Sequence, residues 1–504
     1  MSDTMSPAAE PLDWARIRVV FIAVAVTLFL ASMGQTVVTT ALPTIVGELG
    51  GLDQITWVIT AYLLAATVGA PIFGKLGDLF GRKRVLQGGI ATFFLGSLLC
   101  ALAPNIWTLV AGRAVQGFGG GGLIVVSMAT IADVLPPRQR GKFQGFLGAV
   151  FGVSTVIGPL AGGFIVQHFH WTWIFLLNLP ACAVVFAILS AILENGPVRD
   201  QARLDYIGAG LLAALLALGV LIASLGGHAV PWASPTMALM GVGLVLSVVG
   251  FILAERHAPE PILPLKLFTI NNFIVSNSVG FIIGVAMFST ITFVPFFMQV
   301  VKGVSPSVSG MFTFPMMVGL ISASSLAGQI MSRTGRYRIL PICSTLLLGV
   351  AMALMATVGP HTPNALIAGY MLLAGIGIGP VMGVGVTAIQ NAVPRSMVGV
   401  GTASANMFRL IGGSLGTAAF GAVFAAGLTR ELGGALPTAN PRGLTAQQIM
   451  AMEPELREIV VSGIAHALHP VFWVSAALGC VASAVALLMV ERPLQDTLAA
   501  TPAE

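Results

Sequence analysis

The chain has 504 residues, 56% of them hydrophobic and only 9% charged, with a mean hydropathy of +0.93. Soluble proteins carry about 25% charged residues, so this composition excludes a soluble globular fold: too few charges exist to cover its surface. The net charge of +5 would suit a nucleic-acid binder, but the basic residues are strung between apolar runs, which argues for membrane orientation and against a nucleic-acid partner.

Crossing the hydrocarbon core takes about 20 mostly apolar residues in a helix, and only helices or closed barrels satisfy the backbone there. The apolar runs show no period of two and read as helices. In chain order they predict fourteen spans, near 17–43, 54–74, 85–104, 107–135, 141–166, 172–193, 204–225, 234–254, 271–299, 307–331, 338–358, 363–386, 397–428 and 464–490. The first span is too long for a signal sequence and lacks a clear cleavage site, so it is expected in the mature protein. The segment 429–463 is the longest connection and is expected to form one or two short amphipathic helices on the outer surface.

With the N-terminus inside, 18 Lys and Arg residues fall in inner segments and only Lys302, Arg430, Arg442 and Arg457 in outer ones; Arg113 and Arg409 lie within spans. The positive-inside rule therefore predicts that both termini lie in the cytoplasm, as expected for a multi-pass protein read as belonging to the cytoplasmic (inner) membrane. Cys100, Cys182, Cys343 and Cys480 fall singly in four runs, which suggests neither a disulfide framework nor a metal cluster. No GxxxxGK[ST] loop occurs, so ATP is not expected as a direct energy source. No catalytic set and no cofactor are expected.

Several motifs punctuate the spans. "GKLGDLFGRKR" (74–84) joins spans 2 and 3, and "GQIMSRTGRYR" (328–338) joins spans 10 and 11. Aligned, Gly74 meets Gly328, Gly81 meets Gly335, Arg82 meets Arg336 and Asp78 meets Ser332. "QGFGGGG" (116–122) aligns with "AGIGIGP" (374–380), and Gly158 falls opposite Gly416. Six spans precede the pair 204–254 and six follow it. The predicted organisation is a cytoplasmic tail (1–16), a six-helix bundle (17–193), two linking helices with their loops (194–260), a second six-helix bundle (261–490) including 429–463, and a cytoplasmic tail (491–504). Two related bundles suggest a secondary transporter with a site between them.

The residues resemble the major facilitator superfamily. "GKLGDLFGRKR" resembles its loop signature, and Arg113, Gln116, Gly117 and Gly119 match its fourth-helix motif. "GVSTVIGPLAGG" (152–163) resembles the fifth-helix motif of its antiporters. "QTVVTTALPTI" (35–45), "WTWIFLLNLP" (171–180), "LDYIG" (204–208) and "PILPLKLF" (261–268) resemble the 14-span drug:proton antiporter, or multidrug efflux, branch. The resemblance implies an all-α polytopic fold of 14 helices arranged 6+2+6. It implies a proton-coupled exporter of amphipathic small molecules working by alternating access, with the bilayer, protons and a small-molecule substrate as partners; a periplasmic adaptor is left open. The alternatives are a facilitator or importer of organic anions, and a non-transporting sensor or lipid-handling protein on the same fold.

The resemblance places a cytoplasmic latch on Gly74, Asp78, Gly81, Arg82, Lys83 and Asp133, with Asp78 facing the start of the span near Met397. An acid at the C-terminal end of a helix opposes its dipole, so Asp133 needs a cation, and Arg82 is the natural partner. The second half carries Ser332, Arg336 and Asn391 at the equivalent places, so a charged latch is one-sided. Gly158 and Gly162 have the spacing that lets helix backbones approach, with Pro159 and Gly163 completing the fifth-helix motif. Polar residues inside spans mark a pathway by default, which makes Gln35, Gln116, Gln299, Asn406, Arg113 and Arg409 cavity candidates. Phe288, Phe293, Phe296, Phe297 and Met298 are candidates for a cavity wall or a packing stripe. Trp107 and Trp173 suit interfacial anchors. The family's usual helix-1 acid is replaced by Gly34, and Thr60 occupies a helix-2 position that is acidic in some members. No Asp or Glu falls in the middle of a span, so Arg113 and Arg409 lack a carboxylate. Neutral or anionic substrates are therefore expected over cations.

Overall fold

A computed structural model describes residues 14–49, 55–194, 205–226, 230–304, 306–432, 452–492 and 494. Fourteen helices of 15 or more residues account for most of the described chain, which contains no strand: α1 Trp14–Thr36, α2 Ile55–Phe80, α3 Arg82–Ala101, α4 Ile106–Val134, α5 Pro137–His168, α6 Asn178–Ile192, α7 Tyr206–Leu225, α8 Pro235–His257, α9 Asn271–Val300, α10 Thr313–Thr334, α11 Ile339–Met355, α12 Asn364–Ala392, α13 Val398–Leu432 and α14 Pro454–Ala486. Among the described residues, thirteen spans are long and apolar enough to cross a membrane; the 17-residue Ile339–Met355 is the shorter fourteenth apolar helix.

Local chemistry sets the helix boundaries. Asn105 starts α4 by accepting from the Thr108 amide at 2.9 Å, and Asp205 starts α7 by accepting from Gly208 at 2.8 Å; both satisfy amides that a helix leaves free at its first turn. Ser234 does the same for α8, with Pro235 at the first helical position. Gly81 (φ 84°) breaks the chain between α2 and α3, and Gly335 (φ 71°) ends α10 in the left-handed conformation that glycine tolerates.

Two expectations about boundaries change. The first span does not run on smoothly to residue 43: α1 ends at Thr36 and a 3-10 turn, Val37–Thr40, leads into a short helix, Leu42–Leu49. The connection 429–463 is shorter than expected, because α13 continues to Leu432 and α14 already begins at Pro454. Residues 454–463 are thus the first turns of a 33-residue helix, not a separate surface helix; 433–451 lie outside the described residues.

Helices α1–α6 pack on one another around Leu28, Tyr62, Phe93 and Ile131, and α9–α14 around Ile283, Met316, Leu348, Ile378 and Leu468. Helices α7 and α8 pair, and α7 lies against α2 and α13. The two sets meet through α2 on α13 and α5 on α10. Leu239, Val242, Val245, Leu246 and Val249 of α8 remain exposed, an apolar face suited to lipid.

The repeat in the sequence is also a repeat of contacts. A side chain on Gly117 or Gly121 of α4 would collide with the carbonyls of Tyr62 and Ala66 on α2. A side chain on Gly375 or Gly379 of α12 would collide with those of Met316 and Leu320 on α10. Each pair of helices touches backbone to backbone, which only glycine allows.

Candidate functional site

The C-terminal ends of α2, α4 and α10 meet the starts of α3, α5 and α13 at one end of the molecule, called the latch end after the role expected of it. Asp78, near the end of α2, accepts from the Gly399 and Val400 amides at 2.9 Å each. Those amides belong to the first turn of α13, where a helix has free donors and a positive dipole end. Arg82 donates to Asp78 at 2.6 Å and to Asp133 at 2.7 Å, so the acid at the end of α4 has its cation. Gly74 lets the helices close: a Cβ there would lie 2.7 Å from that of Ala403 and 2.8 Å from the Gly399 oxygen. Lys83, one residue beyond, is half-buried.

The second copy uses opposite polarity. Arg138, at the start of α5, donates to the backbone oxygens of Ser332 and Arg333 at 2.9 Å each. A cation capping the C-terminal carbonyls of α10 replaces an acid capping the first amides of α13. Behind the latch, Gln144 of α5 donates to the Met128 oxygen at 2.9 Å and Gln390 of α12 donates to the Thr402 hydroxyl at 3.0 Å. The two amides meet at 3.4 Å across the two helix sets.

Helix α5 carries two glycine faces. Toward the latch end, Gly141, Gly145, Gly148 and Gly152 pack against Met331, Ser324 and Ile321 of α10. Farther along, Gly158 and Gly162 pack against Thr36, Val37 and Thr40, where α1 breaks. The Thr40 hydroxyl donates to the Pro159 oxygen at 3.1 Å. A Cβ on Gly163 would meet nothing within 4 Å, so that glycine is not part of the contact.

A cavity of about 720 Å³ lies away from the latch, between α2, α7, α9, α13 and α14. Its wall is mostly apolar, with Phe288, Phe293 and Phe296 from α9, Val220 and Ala223 from α7, and Trp232. Thr60, Thr67, Thr292, Ser414 and Thr417 supply hydroxyls, and among the described residues no charged one lines it. This is the size and make-up of a site for a drug-sized amphipathic molecule. Phe297 and Met298 point elsewhere and are core residues, 2% and 0% exposed. Trp107 and Trp173 are exposed, as anchors at a membrane interface would be.

The polar residues expected in the cavity separate into two groups. Gln35, Asn406 and Arg409 line a small void of about 10 Å³ that shares Leu63, Phe288 and Leu410 with the large cavity. Gln116 and Gln299 line neither. Gln116 is fully buried, accepting from Arg113 at 2.6 Å and donating to Ser97 at 2.8 Å; Gln299 donates to Ser309 at 2.8 Å. Both amides are satisfied by neighbouring side chains. Arg113 is likewise 0% exposed, so it does not open onto water in this state. It donates to the oxygens of Gly34 (2.7 Å) and Val58 (3.2 Å) and lies over the Tyr62 ring at 4.2 Å. Gly34 is itself packed: a Cβ would lie 2.9 Å from the Phe93 ring.

Outside the spans, Lys302 clasps the end remote from the latch, donating to the Pro360 and Thr362 oxygens at 2.6 and 2.5 Å. Burial pushes its ammonium below the usual lysine range. Sequence reasoning did not single out Arg138, Gln144, Gln390 or the α7 wall. Gln144 and Gln390 carried a usable signal, as amides within or beside apolar runs; nothing local distinguishes Val220 or Ala223 from a lipid-facing residue.

A family model described as Major Facilitator Superfamily matches residues 24–417. The chain is 39% identical over 406 residues to the multidrug transporter protein MdtP of Bacillus subtilis (strain 168), covering 79% of this chain and 73% of that one. It is 33% identical to multidrug resistance protein 3 of the same organism, with 79% and 77% covered. It is 37% identical to an MFS-type transporter of Mycobacterium tuberculosis (strain H37Rv), with 96% and 71% covered. Among solved structures, the fold resembles the human organic anion transporter MFSD10 (TM-score 0.63, 15% identity, 93% and 99% covered) and the proton:xylose symporter XylE (TM-score 0.62, 14% identity, 93% and 95% covered).

Proposed function

The chain belongs to the Major Facilitator Superfamily, and on that premise we propose that it exports amphipathic small molecules from the cytoplasm by alternating access, in exchange for protons. It is a multi-pass membrane transporter of small molecules, and its relatives in Bacillus subtilis are named for multidrug transport. The observation that carries the reading is the mostly apolar 720 Å³ cavity, walled by both helix sets and lying away from the Asp78–Arg82 contacts with α13. Residues 17–193 and 261–490 are the two moving bundles, and 194–260 the linking pair.

In this reading both termini and the latch are cytoplasmic in the inner membrane, and the structure is the outward-facing state. Asp78, Arg82 and Asp133, with Gly74 and Gly81 permitting the close approach, hold the cytoplasmic side shut. Opening that side requires α13 to leave α2, which strips Asp78 of two amide donors. Gly158, Pro159 and Gly162 hold the broken end of α1 against α5 and help seal the outer side when the cavity turns inward. The mostly apolar, hydroxyl-dotted wall favours substrates whose bulk is apolar. The test is uptake of a fluorescent amphipathic dye into inside-out vesicles with and without an imposed proton gradient. Gradient-driven uptake is the expected result. Flux indifferent to the gradient would mean a facilitator, and no flux would remove transport of this class altogether.

A further inference from the structure

Two arginines lie inside the membrane-spanning helices, and their surroundings differ. Arg113 has three oxygen partners and a ring beneath it, with only its Nη2 left unpartnered. Arg409 has one oxygen partner, Asn406 Oδ1 at 2.5 Å, with the Met382 sulfur at 3.1 Å and the Phe151 ring at 5.7 Å. Its Nε has no partner, nor has Asn406 Nδ2, although the two residues are only 6% and 3% exposed. Among the described residues no carboxylate pairs with Arg409. Buried charges without partners are costly and mark ligand or ion sites.

Both residues line the 10 Å³ void, together with Gln35. That volume holds about one water at most. Leu63, Phe288 and Leu410 line both the void and the 720 Å³ cavity and so form the partition between them. We propose that Arg409 and Asn406 form the headgroup subsite of the cavity, and that the substrate is a carboxylate-bearing amphiphile whose apolar body fills the cavity. This rests on the exporter reading above. A carboxylate accepts from two donors at once and matches the guanidinium fork. Arg409 Nε and Asn406 Nδ2 are the donors waiting for it. Entry requires the Phe288 ring to swing aside, because a carboxylate does not fit the closed void. A neutral amide of the same shape accepts from the guanidinium through one oxygen without bringing an opposite charge, so it binds more weakly, and a quaternary ammonium is repelled.

The probes are dansyl-aminoundecanoic acid, its primary amide and its trimethylammonium analogue, bound to the purified full-length protein and followed by dansyl fluorescence. The parent should bind the acid about tenfold or more tightly than the amide, the size expected of one charge-assisted bond. Arg409→Gln should bring the two affinities together, with the larger loss on the acid, and Arg409→Lys should keep most of the preference. No preference in the parent, or an undiminished preference in Arg409→Gln, would overturn the subsite. Uptake of the amide into vesicles checks the exporter reading separately. Amide pumped without acid preference removes the subsite alone, and acid preference without any pumping removes the exporter alone.

Discussion

Asp78 is 2% exposed and its partner Arg82 11%, so the energetics of an exposed ion pair, about 0–1 kcal/mol, do not apply to it. Removing one partner from a buried pair costs about 3–5 kcal/mol. Two of the donors to Asp78 come from α13, and the loss therefore falls on the closed latch more than on folding. Asp78→Asn should lower the initial transport rate tenfold or more at matched expression. Ser332→Ala should transport like the parent, because Arg138 binds the Ser332 backbone and not its hydroxyl. Equal, parent-like rates for both variants would dismiss the latch. Gly34 is a second residue whose role is steric. Gly34→Asp, which introduces the helix-1 acid expected from the family resemblance, would drive its Cβ against the Phe93 ring. Overpacking of this kind costs about 1–3 kcal/mol, so Gly34→Asp and Gly34→Ala should both lower the Tm. An unchanged Tm for Gly34→Ala would show that the ring yields. The Arg82–Asp133 pair was readable in the sequence because an acid at a helix C-terminus demands a cation, whereas the contact of Asp78 with α13 was expected only from the family resemblance. Gln116 and Gln299 were not readable, because an amide inside a span is satisfied as well by Ser97 or Ser309 as by a cavity, and only the packing decides which.

Helix α5 joins the two halves on one side and holds α1 on the other. Its glycines at 141, 145, 148 and 152 face α10, whereas 158 and 162 face the broken end of α1. The spacing of 158 and 162 was visible in the sequence, but the partner was not, because the 3-10 break at Val37–Thr40 has no strong local signal within an apolar run. Gly162→Ala would place a methyl against the Val37 carbonyl and should destabilise the protein, read as a clear fall in Tm and loss of transport. Gly163→Ala meets open space and should leave the Tm unchanged or slightly raised, since alanine favours a helix by about 1 kcal/mol over glycine. The contrast fails if both substitutions behave alike. At the other end of the helix, Arg138→Gln removes the charge that caps α10. It should open the latch end on the α5–α10 side, seen as faster cysteine labelling there, while insertion and expression stay at parent level. The α7 wall of the cavity shows the limit of reading elements singly: hydropathy places α7 in the membrane, but its contact with α2 and α13 depends on how the whole set packs.

At the scale of the molecule, the two helix sets touch at the latch end and part around a cavity toward the other. Composition and charge spacing sufficed for the membrane class, and the aligned motifs at 74–84 and 328–338 and at 116–122 and 374–380 raised the expectation of two related sets. The sequence offered a site between the two sets and Phe288, Phe293 and Phe296 as part of its wall, but the rest of the wall was beyond it, because hydroxyl and apolar residues look the same facing lipid. The central claim is that this cavity is the transport path and opens to one side at a time. It is tested by placing a single cysteine at Thr60 or Thr417, both on the cavity wall, in a protein lacking Cys100, Cys182, Cys343 and Cys480. Labelling with a membrane-impermeant thiol reagent is then followed from each face of sealed vesicles. Labelling should come from the face opposite the latch in the otherwise native protein, and Asp78→Asn should shift it toward the latch face. Labelling equally from both faces, or from neither, or with no response to Asp78→Asn, would contradict the account.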